Sequence, residues 1–214
     1  MSVVSSLIRV PGDDLTLVMD SATARAVCGL VLDGRELAFA SAEGGRAAQR
    51  SLVLVDEVLA RADRTPGDLS RIVVGCGPGS FTGLRIGIAT ARGLALGLGL
   101  PCSGASTLAA LAAGAPGALA LIDARRGELF APGGDGEAAV AQPEEIAAQI
   151  AHGTLCVGDG AVRYRALLQA AGALVPPDDD ARHAPGSAAL AALAGQNAPE
   201  PFYVRRPDAE PQVA

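Results

Sequence analysis

The chain of 214 residues contains no lysine, and all 17 of its basic residues are arginine. This absence excludes a lysine Schiff base and the lysine of a Walker-type phosphate loop. Only 3% of the residues are aromatic, so alanine, leucine and valine must fill the core. Acidic residues outnumber basic ones by 23 to 17, giving a formal net charge of −6. Because nucleic-acid affinity comes largely from neutralising phosphates, we expect the chain not to hold a nucleic acid by itself.

Histidine is nearly as scarce, with only His152 and His183 in the chain. Two histidines cannot form a histidine-rich metal site, and we expect neither a metal nor another cofactor. The cysteines are widely spaced and contain no CxxC pair, which is typical of reduced, buried small residues. They are Cys28, Cys76, Cys102 and Cys156.

Long apolar runs are also missing. No stretch approaches the ~20 uninterrupted apolar residues of a membrane span, and residues 1–14 lack the basic start and apolar run of a signal peptide. We therefore expect a cytoplasmic protein without a membrane partner. Its length is sufficient for one large domain or two small lobes that each bury a core.

The first half of the chain predicts strands and helices in the order β-β-β-α-β-α, which is a ribonuclease-H-like unit. Asp33-Gly34 indicates a hairpin, because glycine tolerates the positive φ of a tight primed turn. Pro66-Gly67 ends the first helix. The predicted elements are 15–20, 26–32, 35–41, 48–63, 71–76 and 83–98.

A less regular copy of this order follows, interrupted by the Gly/Pro-rich residues 132–136. A duplicated unit of this kind is the actin-like (ASKHA), sugar-kinase-like α/β fold. We predict a first lobe at 15–103, a smaller second lobe at 104–196 and a tail at 197–214. Within the second lobe we predict strands at 118–123, 127–131 and 154–158, and helices at 143–151, 161–171 and 186–194.

A glycine-rich segment joins the fourth predicted strand to the second helix, which Ser80 or Thr82 can cap. One interpretation is an anion cradle, because such a loop bares N–H groups at the positive end of a helix. The other is a tight strand-to-helix turn that needs positive φ and nothing more. Neither a GxxxxGK(S/T) nor a GxGxxG pattern is present. The residues of interest are Gly77, Pro78, Gly79, Ser80, Thr82, Gly83 and Arg85.

The helix at 83–98 is apolar nearly all round, and such helices are normally buried all round. One stripe is predicted to face the core of its own lobe, and a second, uncharged stripe lies on another face. The core stripe is Leu84, Ile88, Ala91, Ala95 and Leu98, and the second stripe is Ile86, Thr90, Gly93, Leu94 and Gly97.

The helix at 48–63 shows the same pattern. We predict that it directs Leu52, Val55, Leu59 and Ala62 to the core and leaves Leu54 and Val58 outside. The outer residues of both helices then form a flat apolar surface suited to the helices of another protein. The alternative is that both helices are simply interior. The predicted partner interface is Leu54, Val58, Ile86, Thr90, Gly93, Leu94 and Gly97.

These motifs resemble a known family. The segment GCGPGSFTGLRIGIATARGLALGLGLP, followed by GASTLAALA, is similar to the signature of the TsaB (YeaZ) family. Four further segments are similar to those of the family and occur in the family's order: MDSAT (19–23), IDARRGELF (122–130), GDGAVRY (158–164) and PFYVRRPDAE (201–210). The resemblance runs from about residue 15 to 210, and we expect residues 1–14 to be an extension or a misplaced start. The two signature segments are residues 75–101 and 104–112.

The resemblance implies an actin-like fold that has lost its chemistry. TsaB-like proteins pair with a catalytic relative, TsaD, and a small ATPase, TsaE, completes the assembly that adds threonylcarbamoyl to adenosine 37 of tRNA. The family also self-associates through the two helices of its first lobe. It therefore implies a non-catalytic scaffold and activator subunit that meets tRNA only through the complex, and a homodimer as another assembly.

The sequence departs from the family at the start of the first helix. Many members have His-Ser-Glu there, whereas this chain has Ala47-Ala48-Gln49, and Val53 replaces a common proline. We expect these changes to alter the entry of the helix and its polar contacts with a partner, and to leave the apolar stripe undisturbed.

An alternative function is a weakly nucleotide-binding actin-like ATPase. Such enzymes carry an aspartate at the end of each lobe's first strand, followed by a glycine-containing hairpin that holds phosphate. Asp20 and Asp123 occupy these places, but no glycine follows directly in Ser21-Ala22-Thr23 or Ala124-Arg125-Arg126. The other interpretation is a strand-end aspartate that bonds nearby backbone.

A metalloprotease is a third possibility that the sequence disfavours. The catalytic relative carries a His-x-x-x-His helix, whose spacing places both imidazoles on one face. The matching residues 106–111 contain no histidine, cysteine or acid.

The arginine pairs at 125–126 and 205–206 offer local contacts to RNA, or are solvated or bonded to carboxylates.

Overall fold

The computed structural model describes residues 14–44, 46–134, 137–195 and 198–204. The predictions for residues 1–13 and for the Arg205-Arg206 pair concern residues outside these ranges. Within them, no helix is long and apolar enough to cross a membrane.

A five-stranded sheet forms the centre of the first lobe, in the order β3-β2-β1-β4-β5. The first three strands pair antiparallel, whereas β4 runs parallel to β1 and β5 parallel to β4. All six residues of β1 are buried, as expected for a strand covered on both faces. The strands are β1 (Leu15–Asp20), β2 (Arg25–Leu32), β3 (Arg35–Glu43), β4 (Arg71–Gly75) and β5 (Cys102–Ala105).

The turn between β2 and β3 confirms the hairpin prediction. Asp33 and Gly34 have φ values of 49° and 79°, and a primed two-residue turn needs positive φ at both positions. β5 was not predicted as a strand, and it extends the sheet beyond the four strands of the sequence prediction.

Three helices follow the strands of this sheet. A short 3₁₀ turn, Ala48–Arg50, leads into α1 (Ser51–Arg61), while α2 spans Phe81–Leu98 and α3 spans Thr107–Gly114. The hydroxyl of Ser80 caps α2 by accepting the N–H of Gly83 at 3.3 Å. α1 and α2 cover one face of the sheet, where they pack on Leu17, Met19, Leu30 and Ile72.

Among its described residues, the second lobe contains two small sheets and three helices. β6 (Leu119–Ala120) pairs parallel with β10 (Cys156–Val157), and β7 (Ile122–Arg125), β8 (Glu128–Pro132) and β9 (Ala138–Ala141) pair antiparallel in that order. The predicted strand 118–123 is therefore divided between two sheets, and β9 was not predicted. The helices are α4 (Pro143–Gln149), α5 (Asp159–Arg163) and α6 (Arg165–Ala170), the last two replacing one predicted helix.

The opposite face of the first sheet is covered by α3 and by α7 (Ser187–Ala192), although both helices follow residue 103 in the chain. Alternate residues of the strands point to this face, and Val18, Val31 and Val73 pack there against Leu190 of α7. We therefore use "first lobe" for the five-stranded sheet with α1, α2, α3 and α7, and "second lobe" for β6–β10 with α4–α6. The predicted boundaries 15–103, 104–196 and 197–214 stay a prediction.

Candidate functional site

The end of β1 places Asp20 in a buried position beside the glycine-rich loop. Asp20 Oδ1 accepts the N–H of Ala22 at 2.8 Å, and Oδ2 accepts the hydroxyl of Thr107 at 2.6 Å. Burial raises the pKa of Asp20 to about 6, against the two hydrogen bonds, which lower it, and nearby Asp159 raises it further. Both carboxylate oxygens are thus engaged within the protein, as in the strand-end interpretation.

Gly75, the last residue of β4, leaves the room that Asp20 occupies. A Cβ atom at this position would lie 1.6 Å from Asp20 Oδ2 and 2.9 Å from Thr107 Oγ1. Real Cβ atoms do not approach heavy atoms so closely, so only glycine fits without moving the carboxylate.

Three N–H groups of the glycine-rich loop bind the protein itself. Gly77 donates to Thr107 Oγ1 at 3.1 Å, Ser80 donates to the carbonyl of Ala22 at 2.6 Å, and Gly83 donates to the Ser80 hydroxyl. An anion cradle needs such groups free to point at a ligand. The contacts therefore favour the strand-to-helix turn over the anion cradle.

Glycines spaced four residues apart let the β1–β2 connection pack directly on the start of α2. A Cβ atom would lie 2.2 Å from the Ala22 carbonyl oxygen at Gly79, and 2.0 Å from the Ser21 carbonyl oxygen at Gly83. At Gly87 it would lie 2.3 Å from the Ser21 hydroxyl. Close approach of residues 21–22, rather than positive φ, explains these glycines, whereas Gly77 has a φ of 102°.

The second aspartate, Asp123, is buried at the end of the corresponding strand β7. Its Oδ1 accepts the N–H of Arg125 at 2.9 Å, and its Oδ2 forms ion pairs with Arg125 at 3.1 Å and Arg163 at 3.4 Å. Arg125 and Arg126 make the turn between β7 and β8, with φ values of 63° and 54°. The arginine pair therefore serves this hairpin, and Arg125 is bonded to a carboxylate.

Sequence reasoning did not single out Asp159, which begins α5. Its Oδ2 accepts the N–H of Ala24 at 2.8 Å, and its Oδ1 accepts the N–H of Asp123 at 3.0 Å. Burial raises the pKa of Asp159, partly opposed by these hydrogen bonds. Its flanking glycines, in the sequence Gly158-Asp159-Gly160, were the available signal of a special backbone position.

The second predicted stripe of α2 lies on its outer side, and we name Ile86, Thr90, Gly93, Leu94 and Gly97 the α2 outer face. Its two glycines are exposed, and its other three residues are half-buried. A Cβ added at either glycine would meet no atom within 4 Å. This face is open in the isolated chain, whereas the predicted core stripe is buried except for Leu98, which is 37% exposed.

The interface prediction for α1 is wrong in its choice of residues. Leu54 and Val58 are only 1% and 0% exposed and belong to the core, whereas Leu52 and Val53 are each 54% exposed. Residues 52–55 are all apolar, so periodicity alone does not fix the rotation of the helix about its axis. The exposed apolar residues of α1 are therefore Leu52 and Val53.

The tail packs against the first turn of α2. The Arg85 guanidinium lies 3.8 Å from the centre of the Phe81 ring, and its Nε donates to the Tyr203 hydroxyl at 3.0 Å. The N–H of Phe202 donates to the carbonyl of Cys76 at 2.7 Å. Arg85 thus holds the tail on the helix.

A cleft with a volume of about 960 Å³ lies between the glycine-rich loop, α3 and the tail. Cys76 and Ser106 line it, together with the carboxylates Glu137 and Glu200. No arginine is among its described lining residues, so the cleft does not favour a phosphate group. Within the ranges that the structure describes, no three His, Cys, Asp or Glu side chains are placed to hold a metal ion.

Solved structures place this architecture in a class. YeaZ from Pseudomonas aeruginosa superposes with a TM-score of 0.63 at 29% identity, covering 84% of this chain and 90% of its own. The ethanolamine utilization protein EutJ from Carboxydothermus hydrogenoformans superposes at 0.51 with 13% identity, covering 82% and 89%, which shows the fold alone. The protein has an actin-like (ASKHA) α/β fold, as predicted.

Sequence comparisons give the family. The family model "TsaD: tRNA N6-adenosine threonylcarbamoyltransferase" matches residues 45–153. An uncharacterized protein from Mycobacterium tuberculosis is 35% identical over 206 residues, which are 91% of this chain and 93% of that protein. The tRNA threonylcarbamoyladenosine biosynthesis protein TsaB from Escherichia coli is 42% identical over 120 residues, 53% of this chain and 52% of its own. The chain belongs to the TsaB (YeaZ) family.

Proposed function

We propose that this chain is a non-catalytic scaffold and activator subunit in the biosynthesis of threonylcarbamoyladenosine in tRNA. It pairs with a TsaD-like catalytic subunit, and a TsaE-like ATPase completes the assembly. The proposal rests on the family, whose Escherichia coli member carries this pathway in its name. The single structural observation that supports pairing is the open, uncharged α2 outer face.

The α2 outer face has the properties of a helix-packing surface. Gly93 and Gly97 present bare backbone, which allows another helix to approach closely, and the neighbouring Leu96 is 86% exposed. Each Å² of apolar surface buried there contributes ~25 cal/mol before the costs of association. A TsaD-like subunit and a second copy of this chain are the two partners we propose for it.

The absence of catalysis is supported by the state of the two strand-end aspartates. Asp20 is bonded to Thr107 and Ala22, and Asp123 to Arg125 and Arg163. Neither carboxylate is directed at an open phosphate site. We propose that the metal and the reactive intermediate belong to the catalytic partner.

The net charge of −6 supports contact with tRNA through the complex rather than by this chain alone. We propose a cytoplasmic location, where the tRNA substrate is modified.

The pairing is tested by Thr90→Glu. A charge at the centre of the α2 outer face would be buried without a partner in a complex, at a cost on the order of several kcal/mol. A micromolar complex has a standard free energy of only about 8 kcal/mol. We expect the variant to lose binding to the TsaD-like subunit in a pull-down and by calorimetry, and to keep the circular-dichroism spectrum and melting temperature of the native monomer.

Leu174→Glu is the matched control, because Leu174 is a 59% exposed leucine in the second lobe, away from α2. It should fold and bind normally. If Thr90→Glu folds and still binds the TsaD-like subunit, the partner surface lies elsewhere. If it unfolds, residue 90 belongs to the core.

A further inference from the structure

Asp159 connects the two lobes through a single carboxylate. Its Oδ2 accepts the N–H of Ala24, which lies between β1 and β2 of the first lobe. Its Oδ1 accepts the N–H of Asp123, which lies on β7 of the second lobe. The two acceptor oxygens of one side chain are thus divided between the lobes, at the point where their two aspartate-bearing hairpins meet.

The backbone around Asp159 is built to hold the carboxylate in place. Gly158 has a φ of 102°, and a Cβ atom there would lie 2.1 Å from the carbonyl oxygen of Leu121. At Gly160 a Cβ atom would lie 2.6 Å from Leu129 Cδ2. The turn therefore packs closely on β6–β8. Positions 158 and 160 have no room for a Cβ atom unless the turn moves.

A buried histidine fixes the same turn from its other side. The N–H of Gly158 donates to His183 Nδ1 at 3.0 Å, and His183 is 4% exposed. His183 Nε2 lies 3.2 Å from the carbonyl of Pro176. With Nδ1 as acceptor, Nε2 carries the proton and donates to that carbonyl, so both ring nitrogens position the turn.

A second connection lies beside the first. The Arg25 guanidinium, on β2, donates to the carbonyl oxygens of Asp178 at 3.3 Å and Asp180 at 3.5 Å, in the segment that leads to α7. Both sets of bonds are charge-assisted, because the guanidinium is ionised as well as the carboxylate. Those of Asp159 are shorter, at 2.8 and 3.0 Å, so Asp159 makes the closer connection.

We propose that Asp159 is an internal latch that holds the two lobes in one fixed orientation. The carboxylate lies between the hairpins and satisfies one N–H group from each. It adds to the apolar contact of Leu108 and Leu111 of α3 with Phe130 of the second lobe, so that the lobes do not open and close about the cleft. The chain is then a rigid body, and a partner docked on the first lobe meets the second lobe at a constant angle. This inference concerns the isolated chain and does not depend on the proposed function.

The latch is tested by amide hydrogen exchange and residual dipolar couplings, measured by NMR on the native chain and on Asp159→Ala. Losing a hydrogen bond to a charged group should raise the exchange rates of the Ala24 and Asp123 amides roughly ten- to hundredfold. The amides of β1 should keep their protection. The dipolar couplings should fit one common alignment in the native protein and two different alignments, one for each lobe, in the variant.

Asp179→Ala is the matched control, because it removes the same charge from an exposed position, and it should behave as the native protein. Asp159→Asn is the second variant, and it carries the test if the alanine variant does not fold. Its amide keeps one acceptor oxygen and turns an NH₂ group toward the other N–H donor, so only one of the two amides should lose protection.

Two results would overturn the proposal. One is a single common alignment in both Asp159 variants, whether or not the Ala24 and Asp123 amides lose protection. The other is a uniform acceleration of exchange across both lobes, β1 included, which would make Asp159 an ordinary contributor to global stability.

Discussion

The hydroxyl of Thr107 donates a hydrogen bond to Asp20 Oδ2 across 2.6 Å, although the two residues are 87 positions apart in the chain. The same hydroxyl oxygen accepts the N–H of Gly77 at 3.1 Å. One side chain at the start of α3 therefore ties the end of β1 to the glycine-rich loop. The arrangement keeps Asp20 buried, and burial has a measurable consequence for the dependence of stability on pH.

Asp20→Asn should remove one part of this pH dependence. The pKa of Asp20 is raised to about 6 from 3.8, mainly by burial, so between these values the folded state keeps a proton that the unfolded chain has lost. Native stability should therefore fall as pH rises from about 4 to about 6, with a contribution on the order of 3 kcal/mol. Denaturant unfolding of the native and variant proteins between about pH 3.5 and about pH 8 measures the difference.

The control for this experiment is Asp179→Asn, which removes a carboxyl from an exposed position. Its stability curve should run parallel to that of the native protein. Parallel curves for Asp20→Asn as well would mean that Asp20 titrates alike in the folded and unfolded states.

Gly83→Ala and Gly97→Ala should change stability in opposite directions, although both positions lie in α2. A Cβ atom at Gly83 would overlap the Ser21 carbonyl oxygen, 2.0 Å away, and such overpacking should lower the free energy of unfolding by roughly 1–3 kcal/mol. At Gly97 it would meet nothing within 4 Å, so alanine should raise it by about 0.5–1 kcal/mol through helix propensity. Denaturant unfolding compares the two. An equal effect at both positions would contradict the packing of the β1–β2 connection on α2.

The isolated chain should not bind ATP more tightly than about 1 mM, a standard free energy near −4 kcal/mol. The carboxylate of Asp20 and the N–H groups of Gly77 and Ser80 are already hydrogen-bonded within the protein. Isothermal titration calorimetry provides the measurement. Stoichiometric binding at micromolar affinity that disappears in Asp20→Ala would reverse the proposal and restore the actin-like ATPase alternative.

The sequence predicted the first lobe best where local signals agreed. β1, β2 and α2 combine apolar periodicity with a hairpin turn or a capping serine, and the structure confirms their positions. The rotation of α1 could not be predicted, because four consecutive apolar residues fit several faces of a helix. In the second lobe, strands of two to five residues carry too few positions to show a period.

Some features of the candidate site could also be predicted from the sequence, and others could not. Gly79 and Gly83 were recognised as part of a motif. They must be glycine because the backbone of residues 21–22 packs against them, and no local sequence pattern reveals that contact. The hydrogen bonds of Thr107 and Asp159 join residues far apart in the chain, so only the folded structure brings them together. The outer stripe of α2 contains no charge, and two of its five residues are exposed and three half-buried. Its use as a partner surface stays a prediction.

The packing of α7 on the first sheet has a consequence for synthesis. Leu190 and Ala191 complete the apolar layer against Val18, Val31 and Val73, so the strands of the first sheet wait for a helix that is translated after the whole second lobe. Until that helix leaves the ribosome, one face of the growing sheet stays open to water and to other chains. The first sheet is thereby completed only after the second lobe has been translated, and a nascent chain arrested between the lobes would expose an apolar sheet face that is prone to aggregation.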